Sequence, residues 1–299
     1  MARFGTAQAA WLRWATLVLW MSAGSLVGCG KPADQAVENP AADPLPTAQA
    51  TSASTPASDV EPRRLLTFAE ATRSEPPGDG SRPPDLTMTG KSVGKLYTEV
   101  IQTWDAVQLS SQAGKALCYT ATIDTQLGLI EIALRPDLAP NHVRNFVALA
   151  RVGYYDGLVF ERTVRAQSEG QPDLELIEAG CPIGTGELGV GSLGYWLKPE
   201  FNDATHEEGT VGACHGEEPD TACCKFYLTL SKAPYLDKSF TVFGKVTHGL
   251  DVARRIFSLP VRNDPDYPEG DRPENPVVMR KVTIRAHEVE KPDTPPGQK

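Results

Sequence analysis

In residues 116–135, "ALCYTATIDTQLGLIEIALR", Tyr119, Ala121 and Ile123 and then Ile130, Ile132 and Leu134 recur with a period of two, interrupted near Gln126-Leu127-Gly128. That pattern predicts two strands joined by a tight turn, each with one buried face. Six more strand-like runs follow: "LVFERTV" (158–164), "LELIEAG" (174–180), "GTVGACH" (209–215), "KFYLTL" (225–230), "TVFGKV" (241–246) and "VVMRKVTIRAH" (277–287). Two segments carry helical spacing instead. Residues 141–157 place Val143, Phe146, Val147 and Ala150 on one face and close at Gly153. Residues 249–259 turn Leu250, Ala253 and Ile256 inward. So many short strands with one helix near each end predict a mainly β domain, a closed antiparallel barrel capped by two helices, because closure removes unpaired edges.

The flanks read differently. Arg3 and Arg13 precede "ATLVLWMSAGSLVGC" (15–29), an apolar run too short to span a bilayer comfortably. Its end, Leu26-Val27-Gly28-Cys29, resembles the bacterial lipobox. On that resemblance residues 1–28 are a signal peptide, and Cys29 is lipidated and anchors an exported protein in the cell envelope, facing the periplasm or the exterior. An ordinary signal peptide, or an uncleaved anchor, that happens to contain a cysteine is the alternative. Residues 29–84, rich in Ala, Pro, Ser and Thr, lack the apolar content to offset ordering entropy and read as a tether. "RRLLTFAEATR" (63–73) is a candidate short helix within it.

Residues 85–115 form a lead-in. There "SVGKLYTEVIQTWDAVQL" (92–109) spaces Leu96, Val100, Ile101, Trp104 and Val107 as one helical face, with Ser92 as cap. "GKSVGK" in this region fails as a phosphate loop, since Leu96 stands where a hydroxyl is needed. The barrel domain then covers residues 116–288 and a frayed tail 289–299. A net charge of −9 over 299 residues gives no global case for nucleic-acid binding.

Three long segments, "APNHVRNFVALARVGYYDGLVFERTV", "GCPIGTGELGVGSLGYWLKPEFND" and "KFYLTLSKAPYLDKSFTVFGKVTHGLDVARRI", together resemble the cyclophilins, in order from about residue 118 to 287. The resemblance implies an eight-stranded barrel with two helices and peptidyl-prolyl cis-trans isomerase activity on proline-containing polypeptides, without metal or cofactor. Position by position, Arg162 falls on the family's catalytic arginine, with Glu161 where a histidine usually precedes it. The substrate-contacting positions fall on Glu175 (or Leu174, if the register slips by one), Leu176, Glu178, Cys214, His215, Lys225, Tyr227, Tyr235, Leu236 and Phe240. Tyr227 and Tyr235 keep ring surface that can pack on a proline, and Phe240 keeps the pocket apolar. Glu178 has the charge to pair with Arg162, and Lys225 has the charge to draw it away. These departures keep a second function in view, a module that binds proline-containing segments without useful turnover. A third is a structural envelope lipoprotein whose groove is blocked by the insert 165–173.

Five cysteines remain besides Cys29. Cys214 and the adjacent Cys223 and Cys224 bracket one loop, so a disulfide across it is expected in an oxidising compartment, with either neighbour as partner. Cys181 is available for a second bridge. Cys214, His215, Cys223 and Cys224 have the ligand chemistry of a zinc site, but adjacent ligands at both ends make a poor tetrahedral chelate, and no metal is expected. The domain is expected to be monomeric.

Overall fold

The computed structural model describes residues 64–76, 82–167, 173–186, 191–262 and 270–289. Cys29, the signal-like segment, the tether up to residue 63 and the tail from residue 290 lie outside the described residues. In chain order the first elements are α1 (Phe68–Ala71), β1 (Thr72–Arg73), α2 (Val93–Trp104), β2 (Ala116–Thr125), β3 (Gly128–Leu134) and α3 (Pro140–Arg151). β4 (Phe160–Ala166), β5 (Leu174–Ala179), β6 (Trp196–Leu197), β7 (Thr210–Ala213) and β8 (Phe226–Thr229) follow. β9 (Val242–His248), α4 (Leu250–Phe257), β10 (Gly270–Asp271) and β11 (Met279–Val289) complete the set. Every strand predicted from alternation forms, and the turn after β2 falls where Gln126-Leu127 breaks the pattern, with Thr125 opposite Gly128.

The strands make one antiparallel sheet in the order β10-β4-β5-β8-β7-β9-β3-β2-β11. It curls into a half-barrel, and the expected closed eight-stranded barrel is corrected here. The two-residue β10 takes the outer edge of β4, opposite Thr163 and Val164. β11 therefore meets the start of β4 only through the single bridge Val159–Val278 and the backbone bonds beside it. The concave side holds the main core, with Ile123, Ile130, Ile132, Phe160, Ile177, Phe226 and Leu228 almost wholly buried against α3. α3 is submerged along its length, from Pro140 to Ala150. Its first turn donates the backbone N–H groups of Asn141 and His142 to the Glu200 carboxylate, which serves as its cap from outside the helix.

The lead-in is part of this packing. Ser92 caps α2 as expected, but the helix ends at Trp104, and Val107 reaches the core from the turn beyond. Residues 64–76, read as tether from composition, dock on the domain. A capping box between Thr67 and Glu70 starts α1. Phe68 then packs edge-on against Trp104 and Tyr195, with ring centroids 5.3 and 5.0 Å away. β1 pairs with β6, and Arg73 bridges to Glu218 and Asp220. Composition missed this because three aromatic rings from two other segments, Tyr97 and Trp104 of α2 and Tyr195, supply what the short stretch lacks by itself. Arg144 completes the joint, lying under Trp104 and donating to the carbonyls of Leu66 and Val107.

Trp104 is fully buried, and its Nε1–H donates to the Leu66 carbonyl at 3.0 Å. Trp104→Ala is expected to lower unfolding free energy by about 3–5 kcal/mol in urea titrations, the range for deleting a large buried aromatic. It should also make the Arg64–Arg73 stretch cleavable by trypsin in the folded protein.

Candidate functional site

The convex side of the half-barrel carries a second, smaller buried cluster: Val164, Leu176, Cys214 and Tyr227, with Leu174 and Phe240 packed at its margin. Strand alternation puts it there. Ile177 and Ala179 of β5, Phe226 and Leu228 of β8, and Val211 and Ala213 of β7 face the main core. The residues between them face out. Pairing then aligns Arg162 with Glu178, Glu178 with Tyr227, and Tyr227 with Gly212, one row across β4, β5, β8 and β7. Arg162 thus stands on the same face as the apolar cluster.

The same alternation separates the two residues left open in the sequence, Leu174 and Glu175. Leu174 joins the cluster, whereas Glu175 turns to the other face. There its carboxylate lies 3.8 Å from Arg254 of α4. Leu176, Glu178, Cys214, His215, Lys225, Tyr227 and Phe240 gather around Arg162 or the cluster beside it. Tyr235 and Leu236 lie half-buried in a single 3-10 turn, Pro234–Leu236, on the loop leading to Phe240. Burial near Asp173 pushes the Tyr235 phenol up to about 12. His215 stacks on Phe240 with centroids 4.4 Å apart, and its ring nitrogens contact the carbonyls of Gly216 and Ser239.

Four charged side chains are enclosed here. Arg162 Nη1 donates to both Glu178 oxygens, at 3.2 and 3.3 Å. Lys225 Nζ donates to Glu178 at 3.2 Å and to the Gly186 carbonyl at 3.1 Å, and lies 4.0 Å from Glu161. Distance separates the two acids. Burial alone would raise Glu178, but Arg162 and Lys225 outweigh it and hold its carboxyl below the ordinary glutamate range. Burial pushes Glu161 up to about 7, since its one cation is farther away and Glu178 adds repulsion. One Glu161 oxygen accepts from the Cys181 N–H at 3.1 Å, and the other has no hydrogen-bond partner. Burial acts to lower Lys225, yet Glu178, Cys214 and Glu161 keep its ammonium above the ordinary lysine range.

Arg162 is 7% exposed because the loop after β5 lies over it. Gly186, with φ +74°, rests on the arginine stem, and a Cβ there would stand 2.6–2.7 Å from Cδ and Cγ. Sequence reasoning had no signal for this contact, nor for His206. His206 Nε2 lies 2.8 Å from the Tyr227 hydroxyl, and Nδ1 lies 2.8 Å from Asp237. The partners are 21 and 31 residues away, so no local spacing marks them.

The expected disulfide is corrected. Cys214, Cys223 and Cys224 are free, as are Cys118 and Cys181. β7 and β8 pair so that Cys214 donates its N–H to Lys225, and its side chain faces the convex cluster. Cys223 and Cys224 belong to the main core instead. Among the described residues no group of three or more His, Cys, Asp or Glu side chains is placed to hold a metal ion.

The family model described as cyclophilin type peptidyl-prolyl cis-trans isomerase/CLD matches residues 120–284. "Peptidyl-prolyl cis-trans isomerase-like 3" of Gallus gallus is 34% identical over 167 residues, 56% of this chain and 96% of that protein. "Peptidyl-prolyl cis-trans isomerase ppi1" of Schizosaccharomyces pombe is 34% identical over 161 residues, 54% of this chain and 95% of that protein. Among solved structures, the cyclophilin type isomerase cgd2_1660 of Cryptosporidium parvum aligns with a TM-score of 0.47 and 20% identity, over 56% of this chain and 98% of that one.

Glu161 gives the site a pH signature. Its folded pKa lies above the unfolded value, so its contribution to stability is fully present below about 4.5 and is lost as pH rises to about 7. The loss is of the order of 3 kcal/mol, from about 1.4 kcal/mol per pKa unit. Glu161→Gln should abolish that component. Comparing the urea midpoints of wild type and variant between pH 4.5 and 8 isolates it from His206, which burial lowers and which acts with opposite sign below about 6.5. Parallel curves for the two proteins would show that Glu161 does not carry the effect.

Proposed function

Because this chain belongs to the cyclophilin-type peptidyl-prolyl cis-trans isomerase family, we propose that the Arg162 face is its active site and that Arg162 stabilises the twisted amide of an X-Pro bond. The barrier to rotation, about 18–20 kcal/mol, comes from resonance across the C–N bond. In the twisted state the proline nitrogen recovers its lone pair, and a guanidinium N–H donated to it lowers the barrier without any covalent step. The apolar cluster of Val164, Leu174, Leu176, Tyr227 and Phe240 takes the proline ring beside the arginine. That Arg162 and this cluster share one face across one strand register is the observation that carries the reading.

Glu178 fixes where the guanidinium points and also competes for it. Contact with a client segment requires the Gly186 loop to yield, since it covers the arginine stem. The Arg162–Glu178 pair also favours a second reading, a module that holds proline-containing segments without useful turnover. We further propose that the protein is a monomer held at the cell envelope by a lipid on Cys29, and that its clients are exported or envelope proteins. The lipobox-like Leu26-Val27-Gly28-Cys29 supports the anchor.

Isomerisation of a panel of X-Pro peptides should be accelerated by the wild type, with kcat/KM reduced at least about tenfold in Arg162→Ala, the loss of one charge-assisted bond in the transition state. Glu178→Gln, which keeps the shape and removes the competing charge, should raise it. No acceleration by folded wild type on any peptide would replace the isomerase with the binding module. Cys29→Ser should release the protein from membranes or leave its precursor unprocessed, and unchanged attachment after fractionation would refute the anchor.

A further inference from the structure

We propose that His206 is a positioning residue for the proline pocket: with Asp237 and Gly212 it fixes the Tyr227 ring across the pocket floor and ties that floor to the loop carrying Tyr235, Leu236 and Phe240. The inference rests on the isomerase-family reading of the site and names residues that reading does not use. A tyrosine buried to 3% exposure needs a partner for its hydroxyl. In an apolar pocket an unpartnered hydroxyl, or one that swings, would disfavour a proline ring.

The geometry solves this in a chain of three bonds. One Asp237 oxygen accepts from the His206 backbone N–H at 2.7 Å and from Nδ1 at 2.8 Å. The ring proton therefore sits on Nδ1, and Nε2 is left to accept the Tyr227 O–H at 2.8 Å. Burial lowers the His206 pKa and raises that of the Tyr227 phenol, so both stay in the neutral forms that this chain needs. His206 and Tyr227 rings are nearly parallel, at 21°, and Phe240 meets Tyr227 edge-on at 5.9 Å.

Gly212 makes the position available. It stands opposite Tyr227 in the sheet, and a Cβ there would collide with the phenol tip and come within 2.9 Å of Cε1. Only a residue without a side chain lets the ring lie flat across β7. The second half of the clamp is on the backbone: the His206 carbonyl accepts from the Ala233 N–H at 2.8 Å, where the loop leaves β8. His206 thus holds the loop at Ala233 and at Asp237, on both sides of the Pro234–Leu236 turn.

The test is a KM-against-kcat split on X-Pro peptides, with peptide dissociation constants from NMR titration as a readout that needs no turnover. His206→Ala, shown folded by circular dichroism, should raise KM and Kd about tenfold, the equivalent of one buried hydrogen bond of about 1.4 kcal/mol, with kcat changed less than about threefold. His206→Gln, whose side-chain oxygen reaches the place of Nε2, should recover most of the affinity. His206→Ala and Tyr227→Phe should be non-additive in Kd by at least about threefold. Unchanged Kd in folded His206→Ala, or strictly additive effects, would overturn the proposal. Peptide binding without acceleration by the wild type would refute the isomerase while the Kd comparison still decides the clamp; absence of both binding and turnover would overturn both.

Discussion

Everything at the convex face depends on one antiparallel register. The row Arg162, Glu178, Tyr227, Gly212 is set by backbone pairing of four strands, not by the side chains themselves. A slip of one residue in β5 would send Glu178 and Leu176 into the main core and bring Ile177 and Glu175 out. The main core forbids that slip, because Ile177 and Phe226 are locked among fully buried neighbours. The hydrophobic core therefore specifies the polar row on the far side of the same sheet. The charged row on one face is positioned by packing on the other.

The row also explains how four charges are kept out of water. Each is expensive to bury alone, and an isolated pair gives back little more than its desolvation. Here Glu178 is shared by two cations at 3.2 Å, and the Gly186 carbonyl takes a further Lys225 proton. The weak member is Glu161, whose second oxygen lacks a partner and which relaxes by holding its proton to higher pH. Such an enclosure contributes little net stability, but it fixes the guanidinium orientation tightly.

The sequence disclosed whatever depended on local periodicity. Tyr119, Ala121 and Ile123 alternate with threonines and Asp124, and Ile130, Ile132 and Leu134 recur two apart, so β2 and β3 and their turn were readable. The two-residue β6 and β10 have no period to detect. The resemblance picked out Arg162, Glu178 and Tyr227, which the register brings into one row, while which of Leu174 and Glu175 shares their face needed the observed pairing. The Cys214 disulfide failed because loop length says how near two strands come, not which face each side chain takes. His206 was illegible for a related reason: its two partners come from the loop before β9 and from β8, and only the fold brings them to one ring.

The enclosed charges have a consequence at long range. Arg162 and Lys225 face Glu161 and Glu178, so with all four ionised their fields cancel beyond the group's own dimensions. What is left decays as a multipole, faster than the Debye screening of about 8 Å at physiological salt would impose on a bare charge. Above about pH 7, where Glu161 is ionised as well, a molecule diffusing toward this face is therefore not steered by Arg162. The net charge of −9 acts on its approach, and the guanidinium is felt only at contact.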